Sequence, residues 1–203
     1  NGAGKTTLLK IIGGLIRSTK GQVRILGQQI EKISFKERAN LICSVPQNPR
    51  LPSDMRLIDF VLLGRNAHLG LTKWETAKDI KKAAAAMKLT DIDDLAERTL
   101  GQISGGELQR AMLAMAVTQE SPVMLLDEPT SNLDLSHQTK VLNLIIKMHN
   151  AKHGVTVMAI HDLTLAAQYS DRMILISEGQ IFADGKPSEV LTESNIGQTY
   201  GAD

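Results

Sequence analysis

Asn1-Gly2-Ala3-Gly4-Lys5-Thr6-Thr7 opens the chain, and its reading decides the fold. The seven residues match the end of the G-x-x-x-x-G-K-[ST] loop that cradles phosphates. Small residues let backbone N–H groups approach an anion, and the following helix adds the positive end of its dipole. In such a loop Lys5 stands against the β- and γ-phosphates, and the Thr6 hydroxyl ligates Mg2+. The motif's first glycine falls two positions ahead of Asn1. A phosphate loop also follows a strand, so the chain is expected to be a fragment whose feeding strand lies upstream. The plain alternative for G-K-T by itself is a glycine-rich helix entrance with no ligand.

Outward from this loop, short apolar runs alternate with helical periodicity, which predicts an α/β domain. Residues 5–16 read as a helix, 22–26 as a short strand and 41–45 as a strand stopped by Pro46. From 52 to 119 strand signals vanish. Helices are predicted over 57–64, 75–87 and 105–119. In the second of these, Ala77, Ile80, Ala84 and Met87 share one face and are expected to be buried. After this insertion, strands are predicted at 122–126 and 155–160 and helices at 135–150 and 163–169. A hairpin of 172–176 with 180–183 follows, then a helical tail over 187–200. The expected organisation is one domain: a P-loop NTPase core with a mainly parallel sheet (1–51 and 120–203) and an inserted α-helical subdomain (52–119).

Composition limits the function. The chain carries 23 basic against 22 acidic residues, so no electrostatic case exists for nucleic acid. A single cysteine, Cys43, excludes an internal disulfide and argues against a cysteine-built zinc site. No apolar run approaches the roughly 18 residues that cross a bilayer. Any membrane role is therefore expected to come through a partner.

Val123-Met124-Leu125-Leu126-Asp127-Glu128 is an apolar strand ending in two carboxylates. Burying adjacent acids is costly without cations or solvent. Strand C-termini of α/β sheets are also where ligands bind. Asp127 fits a Mg2+-linked carboxylate. Glu128, on the other face, fits the base that polarises an attacking water. The alternative is a strand running into a polar loop. Farther upstream, Ser104-Gly105-Gly106-Glu107 begins a helix. Ser104 can cap it, and the glycine pair would let backbone donors approach an anion. An ordinary cap explains Ser104 but does not require two glycines.

The order Gly4-Lys5-Thr6, Gln47, Ser104-Gly105-Gly106-Glu107, Asp127-Glu128, Ser131-Asn132-Leu133-Asp134 and His161 resembles the ABC ATPase family over nearly the whole chain. That resemblance implies ATP hydrolysis with Mg2+. It implies two subunits, a homodimer or a pair, that face head to tail and trap two ATP molecules. Ser104 and Gly106, with Gly105 between them, would touch the γ-phosphate bound by the partner's phosphate loop. Asp134 would lie in the loop crossing the interface, although it could also simply cap the next helix. His161 would contact the γ-phosphate. Gln47 would reach Mg2+ or the attacking water and link the site to an integral membrane permease. Three departures stand out: Ile103 replaces the usual leucine, Asn132 the commoner alanine, and no adenine-stacking aromatic is visible.

The 57 residues from Gln47 to Ser104 leave room for a small helical insertion but not for a long coiled coil. The stretch from Arg56 to Gly70, and Val190-Leu191-Thr192 with 197–201, look like the ATPases of iron–siderophore, haem and cobalamin importers. The resemblance therefore implies metal-chelate import at the cytoplasmic face of the membrane, with a substrate-binding receptor acting indirectly. A permease helix is expected to dock over 52–70, with Arg65 and His68 facing it. Another transporter class, a soluble ABC ATPase acting on nucleic acid or ribosomes, and a non-catalytic cassette are the rival readings.

Overall fold

The computed structural model describes residues 2–69, 74–131, 133–152 and 154–200. Asn1, Gly70, Asn132 and Gly201, all singled out above, lie outside these. Helix α1 (Lys5–Ile12) follows the glycine loop. It ends four residues earlier than predicted because Gly13 and Gly14, the latter at φ 67, turn the chain. A two-residue hairpin, β1 (Arg24–Ile25) with β2 (Gln28–Gln29), turns through Leu26-Gly27. Helix α2 (Phe35–Leu41) then leads into β3 (Ile42–Val45). The sequence reading assigned no element to α2, yet its start is marked. Ser34 Oγ accepts from the Glu37 N–H, and the Glu37 carboxylate accepts from the Ser34 N–H.

Between β3 and the next strand the chain forms α3 (Leu57–Leu62), a 3-10 turn over Leu63–His68, α4 (Ala77–Leu89) and α5 (Gly105–Gln119), with short 3-10 turns between the last two. Beyond these come β4 (Val123–Asp127), α6 (Leu135–Lys152), β5 (Val155–Ala159) and α7 (Leu163–Tyr169). The chain closes with the hairpin β6 (Met173–Ser177) and β7 (Gln180–Gly185), then α8 (Pro187–Val190) and α9 (Glu193–Tyr200). Among the described residues no helix is long and apolar enough to cross a membrane.

Strands β3, β4 and β5 form a parallel sheet in that order, with Val45 opposite Leu126 and Asp127 opposite Ala159. Helices cover both faces, so β4 reads as an unbroken apolar run rather than an alternating one. Its side chains divide between two cores. Met124 and Leu126 join the larger core with α3, α4, α5 and α6, whereas Val123 and Leu125 join Leu9, Ile25, Ile30 and Ile42 beneath α1. Leu125 and Leu126 are essentially inaccessible, and each such burial stabilises by roughly 2–3 kcal/mol.

One predicted face is wrong at three of its four positions, Met87 being buried as expected. In α4 the buried side chains are Asp79, Ala83, Ala86 and Met87, while Ile80 is 49% exposed and Ala77 and Ala84 face solvent. A polar contact decides the rotation. Arg65, expected to face a permease, is buried and donates Nε–H to Asp79 Oδ1 at 2.8 Å. It also donates to the Thr118 carbonyl and to Glu120, each at 2.9 Å. Thr76 caps α4 through the same Asp79 carboxylate. These bonds hold Asp79 well below the usual carboxylate range, the Thr76 hydroxyl and N–H foremost and Arg65 after them. His68 stays exposed, its Nε2 2.7 Å from the Gln119 carbonyl. The Arg65 guanidinium thus satisfies the Thr118 carbonyl near the end of α5, the favourable sign for a helix C-terminus.

Candidate nucleotide site

Three parallel strands end at one edge of the sheet, and each delivers a polar residue there. Gln47 follows β3, Asp127 and Glu128 end β4, and His161 follows β5. The glycine loop meets them. Gly2 and Gly4 sit at φ 88 and 96, in the region that lets successive N–H groups turn toward a common point. Gly2, Ala3, Gly4, Lys5, Thr6, Thr7, Glu128 and His161 line a cleft of about 170 Å3.

Strand alternation sorts the two acids. Asp127 continues the face that carries Val123 and Leu125, under α1, and there Thr6 Oγ1 donates to its Oδ1 at 3.1 Å. A hydroxyl and a carboxylate oxygen are hard ligands of the kind Mg2+ takes from a protein that leaves its other positions to water and phosphate. Among the described residues no cluster of three His, Cys, Asp or Glu could hold a metal unaided. The residues present therefore fit a magnesium ion shared with a phosphate ligand.

Glu128 turns the other way. Its φ of 52 is unusual for a residue with a Cβ, and the surrounding backbone holds it there. Its N–H donates to the Ala159 carbonyl at 3.0 Å, and its own carbonyl accepts from Ser131 N–H at 3.0 Å. Both carboxylate oxygens are engaged. Gln47 Nε2 donates to Oε2 at 2.5 Å, and His161 Nε2 meets Oε1. The Glu128 side chain is only 12% exposed, while His161 opens to solvent. The structure thus brings together Gly2 to Thr7, Gln47, Asp127, Glu128 and His161.

The remaining candidates do not line this cleft. Ser104 is the N-cap of α5, its Oγ accepting from the Glu107 N–H at 3.3 Å. The Glu107 carboxylate accepts from the Ser104 N–H at 2.6 Å, and this bond lowers its pKa. A Cβ added at Gly105 would touch nothing, and one at Gly106 would meet only Leu133, at 3.6 Å. Packing within this chain therefore does not demand the glycine pair. Asp134 caps α6, accepting from the His137 N–H at 2.9 Å. That bond, His137 Nδ1 and the Ser136 hydroxyl lower its pKa to about 2. Sequence reasoning missed the Gln47–Glu128–His161 chain of contacts, because nothing in a linear pattern reports which strand ends are neighbours.

Residues 1–131 match the ABC transporter family. The chain belongs to the ABC transporter family. It is an ATP-binding cassette, the ATP-hydrolysing part of such a transporter. This ABC chain is 39% identical, over its whole length and 78% of the relative's, to an uncharacterized ABC transporter ATP-binding protein of Methanocaldococcus jannaschii. It is 38% identical to the ferric enterobactin transport ATP-binding protein of Escherichia coli, covering 99% of this chain and 74% of that one. Its fold superposes on a metal-chelate type ABC transporter captured facing inward, with a TM-score of 0.85 at 28% identity, covering 99% of this chain and 74% of that one. A dimeric cassette bound to ADP and Pi matches with a TM-score of 0.82 at 26% identity, over 92% of this chain and 82% of that one.

Proposed function

We propose that this cassette energises uptake of a metal chelate, hydrolysing Mg-ATP at the interface of two subunits on the cytoplasmic face of the membrane. The observation that carries the hydrolytic part is the Glu128 carboxylate, set at the rim of the phosphate-loop cleft and held by Gln47 and His161. Lys5 and the loop N–H groups would hold the β- and γ-phosphates. Thr6 and Asp127 would hold Mg2+, which neutralises phosphate charge when bound. Glu128 would then polarise water as the general base. Each of its oxygens has one partner here and keeps a second lone pair, so a water can donate to it beside Gln47 and His161. His161 would then contact the γ-phosphate, and Gln47 would report the state of the site to the permease.

The second subunit supplies what this cleft lacks. Ser104, Gly105 and Gly106 stand away from it, with open space beside Gly105 and only Leu133 near Gly106, as an interface that admits a neighbour's phosphate requires. Asp134 would cross the same interface. The dimeric, ADP-bound neighbour supports this pairing. Relatives named for petrobactin import, cobalamin import and ferric enterobactin transport support the cargo class. A permease and a chelate-binding receptor complete the proposed assembly.

Glu128→Gln tests the reading. ATP affinity is expected to stay within twofold while turnover falls at least 100-fold and an ATP-bound dimer accumulates, measured by phosphate release and sedimentation. Wild-type turnover would overturn the assigned base. Co-purification with nucleic acid or ribosomes, in place of a permease, would overturn the transport reading.

A further inference from the structure

Gln119, the last residue of α5, takes no part in the cleft, yet its side-chain amide nitrogen is fully engaged. Its amide nitrogen donates to two main-chain carbonyls, Ala39 at 2.6 Å and Ile42 at 3.0 Å. An amide has two N–H groups, and both are spent on the junction where α2 ends and β3 begins. Ser121 Oγ donates to the same Ala39 carbonyl at 3.4 Å. The main chain at this point is clamped as well. His68 lies on the Gln119 carbonyl, and Gly64 packs so closely that an added Cβ would come within 3.0 Å of the Gln119 nitrogen. Helix α2 is tied in turn to the end of the phosphate-loop helix, through Arg38 Nη1 donating to the Gly14 carbonyl at 2.5 Å.

This junction therefore joins the roots of three site elements. Strand β3 runs from Ile42 to Val45 and sets Gln47 on Glu128. Helix α1 follows the phosphate loop. Helix α5 starts at the Ser104-Gly105-Gly106 end and finishes at Gln119. Its 15 residues span roughly 22 Å at 1.5 Å per residue. A tilt of about 5° at the Gln119 end would displace the Ser104 end by about 2 Å, a distance over which catalytic alignment is lost. The larger apolar core resists sliding of α5 but is not directional. Two hydrogen bonds from one planar amide are directional.

We infer that Gln119 is a positioning residue for hydrolysis: by bonding Ala39 and Ile42 it holds the serine–glycine start of α5 in register with Gln47. The inference rests on the paired-subunit reading above, in which that helix start meets the partner's nucleotide. ATP binding to the phosphate loop needs no such register, whereas dimer closure and turnover do.

The experiment uses the full-length protein. Gln119→Leu removes both donors, Gln119→Met does so with the side chain's length kept, and Gln119→Lys restores donors within reach of both carbonyls. For the leucine and methionine variants, KM for ATP is expected within twofold of wild type and kcat lowered at least tenfold. In the Glu128→Gln background, their ATP-dependent dimerisation is expected to weaken at least fivefold by sedimentation. The lysine variant should return kcat to within threefold of wild type. Wild-type kcat and dimerisation in a folded leucine or methionine variant would overturn the inference. So would failure of both to fold, or a lysine variant no better than leucine, since either makes Gln119 only a structural residue. If the Glu128→Gln protein itself keeps turning over or never dimerises with ATP, the hydrolytic reading fails instead.

Discussion

At the scale of single residues, the same side-chain type serves opposite ends. Gly64 has no room: an added Cβ would press into the Met115 carbonyl oxygen. Gly105 has nothing around it. Gly64→Ala should therefore destabilise the fold by about 2 kcal/mol, the cost of overpacking a tight contact, read by denaturant unfolding. Gly105→Ala should leave the unfolding midpoint unchanged or slightly raised, since alanine is the better helix former. It should nevertheless cut ATP turnover at least tenfold, because the added methyl enters the proposed interface. Equal losses of stability in both variants would contradict this assignment. Lys5→Ala belongs to the same scale: removing the cation proposed to face the phosphates should weaken ATP binding at least tenfold, measured by nucleotide titration. The types of these residues were legible in the sequence, because Gly4-Lys5-Thr6 and Ser104-Gly105-Gly106 are local patterns. Their contacts were not, since Gln47 reaches Glu128 across 81 positions of chain.

Among elements, α4 shows where apolar spacing misleads. Ala77, Ile80, Ala84 and Met87 form a stripe in the sequence, but the Arg65–Asp79 pair, each side chain under a tenth exposed, turns a different face inward. A periodicity argument counts apolar side chains and assigns a lone aspartate to solvent. It cannot see an arginine 14 positions earlier arriving to pair with it. Asp79→Asn should destabilise the protein by about 2 kcal/mol near neutral pH, the worth of a charge-assisted bond with its cap contacts. The sign of the acid dependence follows. The folded-state pKa of Asp79 lies below its ordinary 3.8, so its contribution is complete above that value and fades as pH falls through the folded pKa. The asparagine variant should therefore lose less stability than wild type between pH 5 and about pH 2, followed by urea unfolding. A parallel decline in the two proteins would show that Asp79 is not stabilised as described. Helix α2 was overlooked for the opposite reason: it is short and buries no residue completely, so only its Ser34-Glu37 cap announced it.

Over the whole molecule the fold was largely readable because its sheet strands are apolar runs of core length, and the order of ligand-bearing turns between them is distinctive. What the sequence could not supply was the assignment of each strand side chain to one core or the other. Alternation along β4 is uniform in hydrophobicity, and only the structure shows Met124 and Leu126 on one side and Val123 and Leu125 on the other. That arrangement has a mechanical consequence. A central strand with apolar matter pressed on both flanks cannot bend without opening two interiors at once, so Asp127 and Glu128 are mounted on a stiff rail. Amide protons of Leu125 and Leu126 should exchange only when the entire domain opens, far slower than those beyond β3 and β5. Whatever swings during a work cycle must then be Gln47, His161 and the outer helices, moving around an anvil that stays still.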